Sequence, residues 1–92
     1  MRSVHVIVHG RVQGVGYRWF TRREASAHGV DGWVRNRRDG SVEALLQGAE
    51  DAVDTVLAAL GSGPAHSRVD ELTITDAAAE PDAAGFEIRP TE

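Results

Sequence analysis

The 92-residue sequence contains no cysteine and no lysine. Without cysteine there are no disulfides, thiolate metal sites, iron–sulfur clusters or cysteine nucleophiles. Without lysine there is no Schiff-base chemistry and no lysine to grip a nucleotide phosphate. Proline is scarce, with three residues, and aromatics make up only 5% of the chain. No apolar run approaches the roughly 20 residues of a membrane span, and the opening MRSVHVIVHG lacks the apolar stretch of a signal peptide. The expectation is a cytoplasmic protein that does not engage membranes. What is present, 41% apolar and 26% charged residues, suits a folded chain. The length allows one domain, residues 1–92, with a modest core.

The net charge of −4 conceals a polarity. Residues 1–38 hold eight arginines against Glu24 and Asp31, whereas residues 39–92 hold Arg68 and Arg89 against twelve acids. A mildly acidic chain is a poor general binder of nucleic acid, yet its first half is suited to holding an anion locally.

Val4, Val6 and Val8 alternate with His5, Ile7 and His9, the period of a strand with one apolar face. A glycine-rich loop follows. Residues 19–28 lack Gly and Pro and stop at Gly29, which predicts a helix of weak periodicity. Two strands, 30–35 and 41–47, flank a turn at Asn36-Arg37-Arg38-Asp39-Gly40. Ala49, Ala52, Val53, Val56, Leu57 and Leu60 form one stripe of an amphipathic helix, with Gly61, Gly63 and Pro64 as its stop. A strand over 69–75 follows, with Leu72 and Ile74 in phase and Val69 out of phase, which suggests a bulge. After a small-residue loop, Phe86 and Ile88 make a short last strand. The order β-α-β-β-α-β predicts an α+β, ferredoxin-like two-layer sandwich, an antiparallel sheet with both helices on one face. His5 and His9 would then stand on the open face.

The loop Gly10-Arg11-Val12-Gln13-Gly14-Val15-Gly16-Tyr17-Arg18 lies between a strand and a helix. Its glycines let successive N–H groups turn toward one point, and the helix terminus adds partial positive charge there. Arg18 adds a planar fork of donors that fits two phosphate oxygens. A nucleotide-binding Walker loop would end in Gly-Lys-Ser/Thr, and this one ends in Gly-Tyr-Arg. A dinucleotide fingerprint needs a third glycine where Trp19 stands. A cysteine phosphatase would place its nucleophile at Val12. The pattern is a phosphate cradle without a nucleophile of its own, so if it does chemistry the attacking group is water or something delivered from elsewhere.

That run resembles the first signature of the acylphosphatase family: Gly, any residue, Val-Gln-Gly-Val, any residue, an aromatic, Arg. Gly32-Trp33-Val34-Arg35-Asn36, with Gly40, Val42 and Gly48, resembles the second. Gly85-Phe86-Glu87-Ile88-Arg89 is similar to the family's C-terminus, so the likeness spans nearly the whole chain. Pro90-Thr91-Glu92 departs from it, standing where an aromatic residue often follows the arginine. That departure is expected to alter the packing of the tail and to leave catalysis alone.

The resemblance implies hydrolysis of acyl phosphates to a carboxylate and inorganic phosphate, the latter also a competing ligand. It assigns catalysis to Arg18 and Asn36, and substrate binding to Arg11, Val12, Gln13, Gly14, Val15, Gly16 and Tyr17. A carboxylate leaves as a stable anion, so no general acid is needed. Holding the phosphoryl group, offsetting its charge and placing a water suffice. No metal or other cofactor is expected, since His5, His9, His28 and His66 lack ligand spacing. A monomer is expected. Plainer readings stand beside these. Asn36 opens a turn, Gln13 bonds within its own loop, and Trp19, Phe20 and Trp33 are core candidates before they are substrate stackers. An RNA-binding module would need exposed sheet aromatics and a basic domain, whereas the pI is about 5.5. An acyl- or carbamoyl-phosphate-binding regulatory domain of a larger enzyme is the other alternative, and a benzoyl phosphate assay separates it from an enzyme.

Overall fold

The computed structural model describes residues 1–92. The chain runs β1 (Arg2–Arg11), α1 (Tyr17–Ala27), β2 (Asp31–Asn36), β3 (Val42–Gly48), α2 (Glu50–Ser62), β4 (Arg68–Asp76) and β5 (Phe86–Ile88). The strands form one sheet in the order β4-β1-β3-β2-β5. The first four pair antiparallel, as expected, but β5 pairs parallel with β2. The reason is the crossing that precedes it. Residues 77–85 pass from β4 at one edge to β5 at the other, bonding Ser3 on β1, then Gln47 on β3, then Asp31 on β2. The strap therefore delivers β5 to the end of the sheet where β2 begins.

Both helices cover one face. Val4, Val6 and Val8 of β1, Val34 of β2 and Val42, Ala44 and Leu46 of β3 point into it and are essentially inaccessible. Alternation in the strands meets the α2 stripe of Val53, Val56, Leu57 and Leu60 and the α1 stripe of Tyr17, Thr21 and Ala25. Burying side chains of this size contributes about 1.5–3 kcal/mol each. The Tyr17 hydroxyl donates to the Leu60 carbonyl at 2.7 Å and so ties α1 to α2. Burial pushes the Tyr17 phenol well above its ordinary pKa.

Several boundaries differ from expectation. Helix α1 begins at Tyr17, two residues early, because the Phe20 N–H already bonds the Gly16 carbonyl at 3.0 Å. It ends as expected at Gly29, where the Val30 N–H reaches back to the Ala25 carbonyl and the Gly29 N–H to Ser26. Gly61 lies inside α2 rather than stopping it; Gly63 follows as its cap. The expected bulge falls at Asp70, which has no partner between the pairs His9–Glu71 and Gly10–Val69. It returns Val69 to the core side shared with Leu72.

The open face is not uniformly wet. Trp33, Leu45 and Gln47 point outward yet are buried, because the strap lies across them. Gln47 exchanges two hydrogen bonds with the Glu80 backbone, and Trp33 Nε1 donates to the Glu80 carboxylate at 3.3 Å. Arg35 and Arg89 stack on the Trp33 ring, each 4.8 Å from its centroid. Trp33 is thus buried, but in this outer layer rather than the valine core. No helix is long and apolar enough to cross a membrane.

Candidate active site

Strands β1 and β2 are both antiparallel to β3, so they run the same way and end at the same edge of the sheet. The loop after β1 and Asn36 at the end of β2 therefore meet. Gly14 (φ 74°) and Gly16 (φ 78°) adopt the left-handed conformation that side chains rarely accept. Such turns aim successive N–H groups to one side. None of the N–H groups of Val12 to Gly16 donates to a protein acceptor. Helix α1 begins there without a side-chain cap and without an acid in its first turn. Its partial positive charge is uncompensated. Arg18, half-buried in that turn, joins none of the chain's seven ion pairs. Everything in the cradle donates.

Asn36 faces it. Its side-chain Oδ1 is buried and has no hydrogen-bond partner, the one such side-chain atom in the chain. A buried acceptor left unmade costs about 1–3 kcal/mol, so an acceptor held this way points to a donor outside the chain. Val12, Gly14, Gly16, Tyr17, Arg18, Trp19 and Asn36 line a depression of about 80 Å³. That is the liquid volume of two to three waters, at about 30 Å³ each. No group of three or more His, Cys, Asp or Glu stands together to hold a metal ion. The larger cleft of about 380 Å³ lies beneath the strap, away from Arg18 and Asn36, and is edged by Glu80, Asp82 and Glu87. Its carboxylates suit an anion poorly.

The cradle and Asn36 are braced to each other. Gln13 Nε2 donates to the carbonyls of Arg37 at 2.7 Å and Ser41 at 2.9 Å, on either side of the β2–β3 turn. Gln13 thus bonds across to the hairpin rather than within its own loop. Asp39 shapes the turn by accepting from the Ser41 N–H and hydroxyl, and these bonds lower its pKa. The tail also reaches this place. The Glu92 N–H donates to the Asn36 carbonyl, and the Arg38 N–H donates to the Glu92 carbonyl, both at 3.1 Å. The Pro90-Thr91-Glu92 departure therefore touches the backbone that carries Asn36, closer to the site than expected.

Of the residues singled out from the sequence, Arg18, Asn36, Val12, Gly14, Gly16 and Tyr17 converge on the depression. Arg11, Gln13 and Val15 do not line it: Arg11 is exposed at the end of β1, Gln13 turns to the hairpin, and Val15 packs on the core. Trp19 was expected in the core and is instead 68% exposed at the rim. The signal was available in the helical phase. At 100° per residue Trp19 stands about 200° from Tyr17, which begins the buried stripe, and so faces outward.

Fold and site together define a two-layer α/β sandwich with a depression lined by unpaired loop N–H groups and Arg18 and with a carboxamide acceptor beside them. The family sequence model described as Acylphosphatase matches residues 4–88. The chain belongs to the acylphosphatase family. It is similar to the acylphosphatase of Azorhizobium caulinodans, 46% identical over 89 residues, covering 97% of this chain and 96% of that one. It is likewise similar to that of Rhodospirillum rubrum, 48% identical over 91 residues with 99% of each covered. Among solved structures, an acylphosphatase from Bacillus subtilis superposes with a TM-score of 0.92 at 38% identity, covering 97% and 99%. The enzyme class follows: hydrolysis of the carboxyl–phosphate bond of an acyl phosphate, giving a carboxylate and phosphate.

Proposed function

We propose that hydrolysis proceeds by in-line attack of a water held by Asn36 on a phosphoryl group held by Arg18 and the amides of the Arg11–Tyr17 segment. The observation that carries this reading is the buried, unpartnered Asn36 Oδ1 in the same depression as Arg18. An acceptor there accepts a hydrogen bond from a water and points that water's lone pair at phosphorus. The Arg18 guanidinium meets the equatorial oxygens with two donors. As the water oxygen bonds to phosphorus, the bond from phosphorus to the acyl oxygen breaks. The electron pair leaves with the carboxylate, and the water's proton passes to a phosphoryl oxygen. No group on the chain has to be protonated or deprotonated. Donors aimed at developing charge cost no reorganisation during the reaction, and one such group is worth about 10²–10³ in rate.

The same reading makes the enzyme metal-independent; a cytoplasmic monomer that does not bind nucleic acid is proposed with it from the composition of the chain. The test is hydrolysis of benzoyl phosphate with and without excess chelator, with inorganic phosphate as competitor. Turnover that survives chelation and is inhibited competitively by phosphate is the expected result. Loss of activity on chelation, restored by zinc or magnesium, overturns the metal-free mechanism. Binding of phosphate without turnover overturns the enzyme in favour of a regulatory phosphate-binding domain.

A further inference from the structure

Trp19 is the most exposed large apolar side chain after the N-terminal methionine, at 68%. Its place is not random. It lines the depression that holds Arg18 and Asn36, and it also walls a second groove, of about 210 Å³, with Gly16, Phe20, Arg23 and Pro64. Gly16 and Trp19 belong to both, so the groove is a direct continuation of the cradle between α1 and the loop after α2. A phosphoryl group filling the small depression would send its acyl substituent out along an open side. The groove is one such path, and it is too large for the phosphoryl group alone. Its walls differ in kind from the cradle. The cradle offers N–H groups; the groove offers an indole face, a proline ring and the half-buried Phe20. Arg22 stacks on the Trp19 ring, with its Cζ 5.3 Å from the centroid. Neither Arg22 nor Arg23 joins an ion pair. Stacking by Arg22 limits the freedom of the indole, and a restrained aromatic face is one on which a flat ligand is held with less ordering cost.

We propose that the groove between Trp19 and Pro64 is the acyl-group subsite of this enzyme, with Trp19 its specificity-determining residue, and that it favours acyl phosphates whose acyl group is flat and apolar. The proposal rests on the acyl phosphate reading of the cradle and adds to it the part of the substrate that the cradle does not touch. An acetyl group ends before it spans the groove. A benzoyl group lies along the indole and displaces water from both walls, so the substrates separate by a contact only one of them makes.

The experiment compares kcat/KM for benzoyl and acetyl phosphate in the wild type, Trp19→Ala and Trp19→Phe. Trp19 is exposed, so both variants fold. The expected result for Trp19→Ala is a loss of about tenfold on benzoyl phosphate and at most about twofold on acetyl phosphate. Loss of an aromatic contact has about that size. Trp19→Phe restores most of the benzoyl activity because it keeps a ring. Inhibition by inorganic phosphate, which has no acyl group, changes less than the benzoyl rate. Equal losses on the two substrates, or no loss on benzoyl phosphate, overturn the subsite while leaving the cradle reading intact. A wild type that hydrolyses neither substrate overturns the acyl phosphate reading, and the subsite with it.

Discussion

Arg18 in the cradle and the arginines of the outer sheet face have the same chemistry and opposite circumstances. Arg35 donates to Glu43 at 2.6 Å and to Glu92 at 3.0 Å and stacks on Trp33. Arg89 donates to Glu87 at 2.9 Å and stacks on the same indole. Arg18 has no protein partner. The outer face has spent its donors on holding strap, tail and sheet together, whereas the cradle withholds five loop amides, a helix terminus and a guanidinium. A satisfied polar network makes structure. A convergent set of unsatisfied donors beside an unsatisfied acceptor makes a site. The two regions should therefore break differently: substitutions in the cradle cost rate at constant stability, and substitutions on the outer face cost stability at constant rate.

The largest effect is expected for Arg18→Ala, which removes the fork that, in the proposed mechanism, serves both bound substrate and transition state. We expect kcat/KM to fall by at least about 10³ and competitive inhibition by phosphate to be lost with it, with little change in Tm. Asn36→Ala sharpens the assignment. It should lower kcat by about 10²–10³ while the phosphate inhibition constant stays within about threefold, because in the proposed mechanism Asn36 holds the water and not the phosphate. An Asn36→Ala enzyme with unchanged kcat and lost phosphate affinity would assign the water elsewhere.

Across the comparison, Trp33→Ala should leave kcat within about twofold and destabilise the fold by about 3 kcal/mol, the low end for truncating a buried large aromatic. For a chain of this length that is a fall in Tm of more than about 10 °C. A Trp33→Ala protein with wild-type Tm would show that the strap contributes nothing to stability.

Gln13 belongs to both regions, since it is a structural bond that aligns two functional ones. Gln13→Ala should lower kcat about tenfold, with the effect disappearing in an Asn36→Ala background. Additive losses would mean that Gln13 acts on the cradle alone.

The smallest effect concerns Glu43. Burial opposes its ionisation, but hydrogen bonds from His5 and Arg35 outweigh this and hold its carboxyl below the usual glutamate range. A folded pKa below the unfolded one gives stability that is complete above the unfolded value of about 4.3 and is lost as pH falls through the folded value. The wild-type Tm should therefore drop more steeply than that of Glu43→Gln between about pH 6 and about pH 3. Parallel curves would remove Glu43 from the acid response.

Much of this protein was legible in one dimension. The valine alternation of β1 and the stripe of α2 determined two of the three contacting surfaces of the core, because side-chain periods of two and 3.6 residues are local properties of the backbone. The phase break at Val69 already contained the bulge at Asp70. The loop glycines and Arg18 marked an anion cradle, because left-handed turns and a planar fork are properties of those residues wherever they stand. Other features have no local cause. That β5 runs parallel to β2 follows from a strap anchored on Ser3, Gln47 and Asp31, which lie 74, 33 and 54 residues before the strap residues they bond, and only the closed sheet aligns them. The bond from Gln13 to Arg37 and Ser41 and the reach of Glu92 to Asn36 are likewise decided by which ends of β1, β2 and β5 meet at one end of the sheet. A residue's own chemistry sets what it is able to do; the strand order sets what stands opposite it, and for Asn36 that difference separates a turn residue from an unpartnered acceptor in the same depression as Arg18.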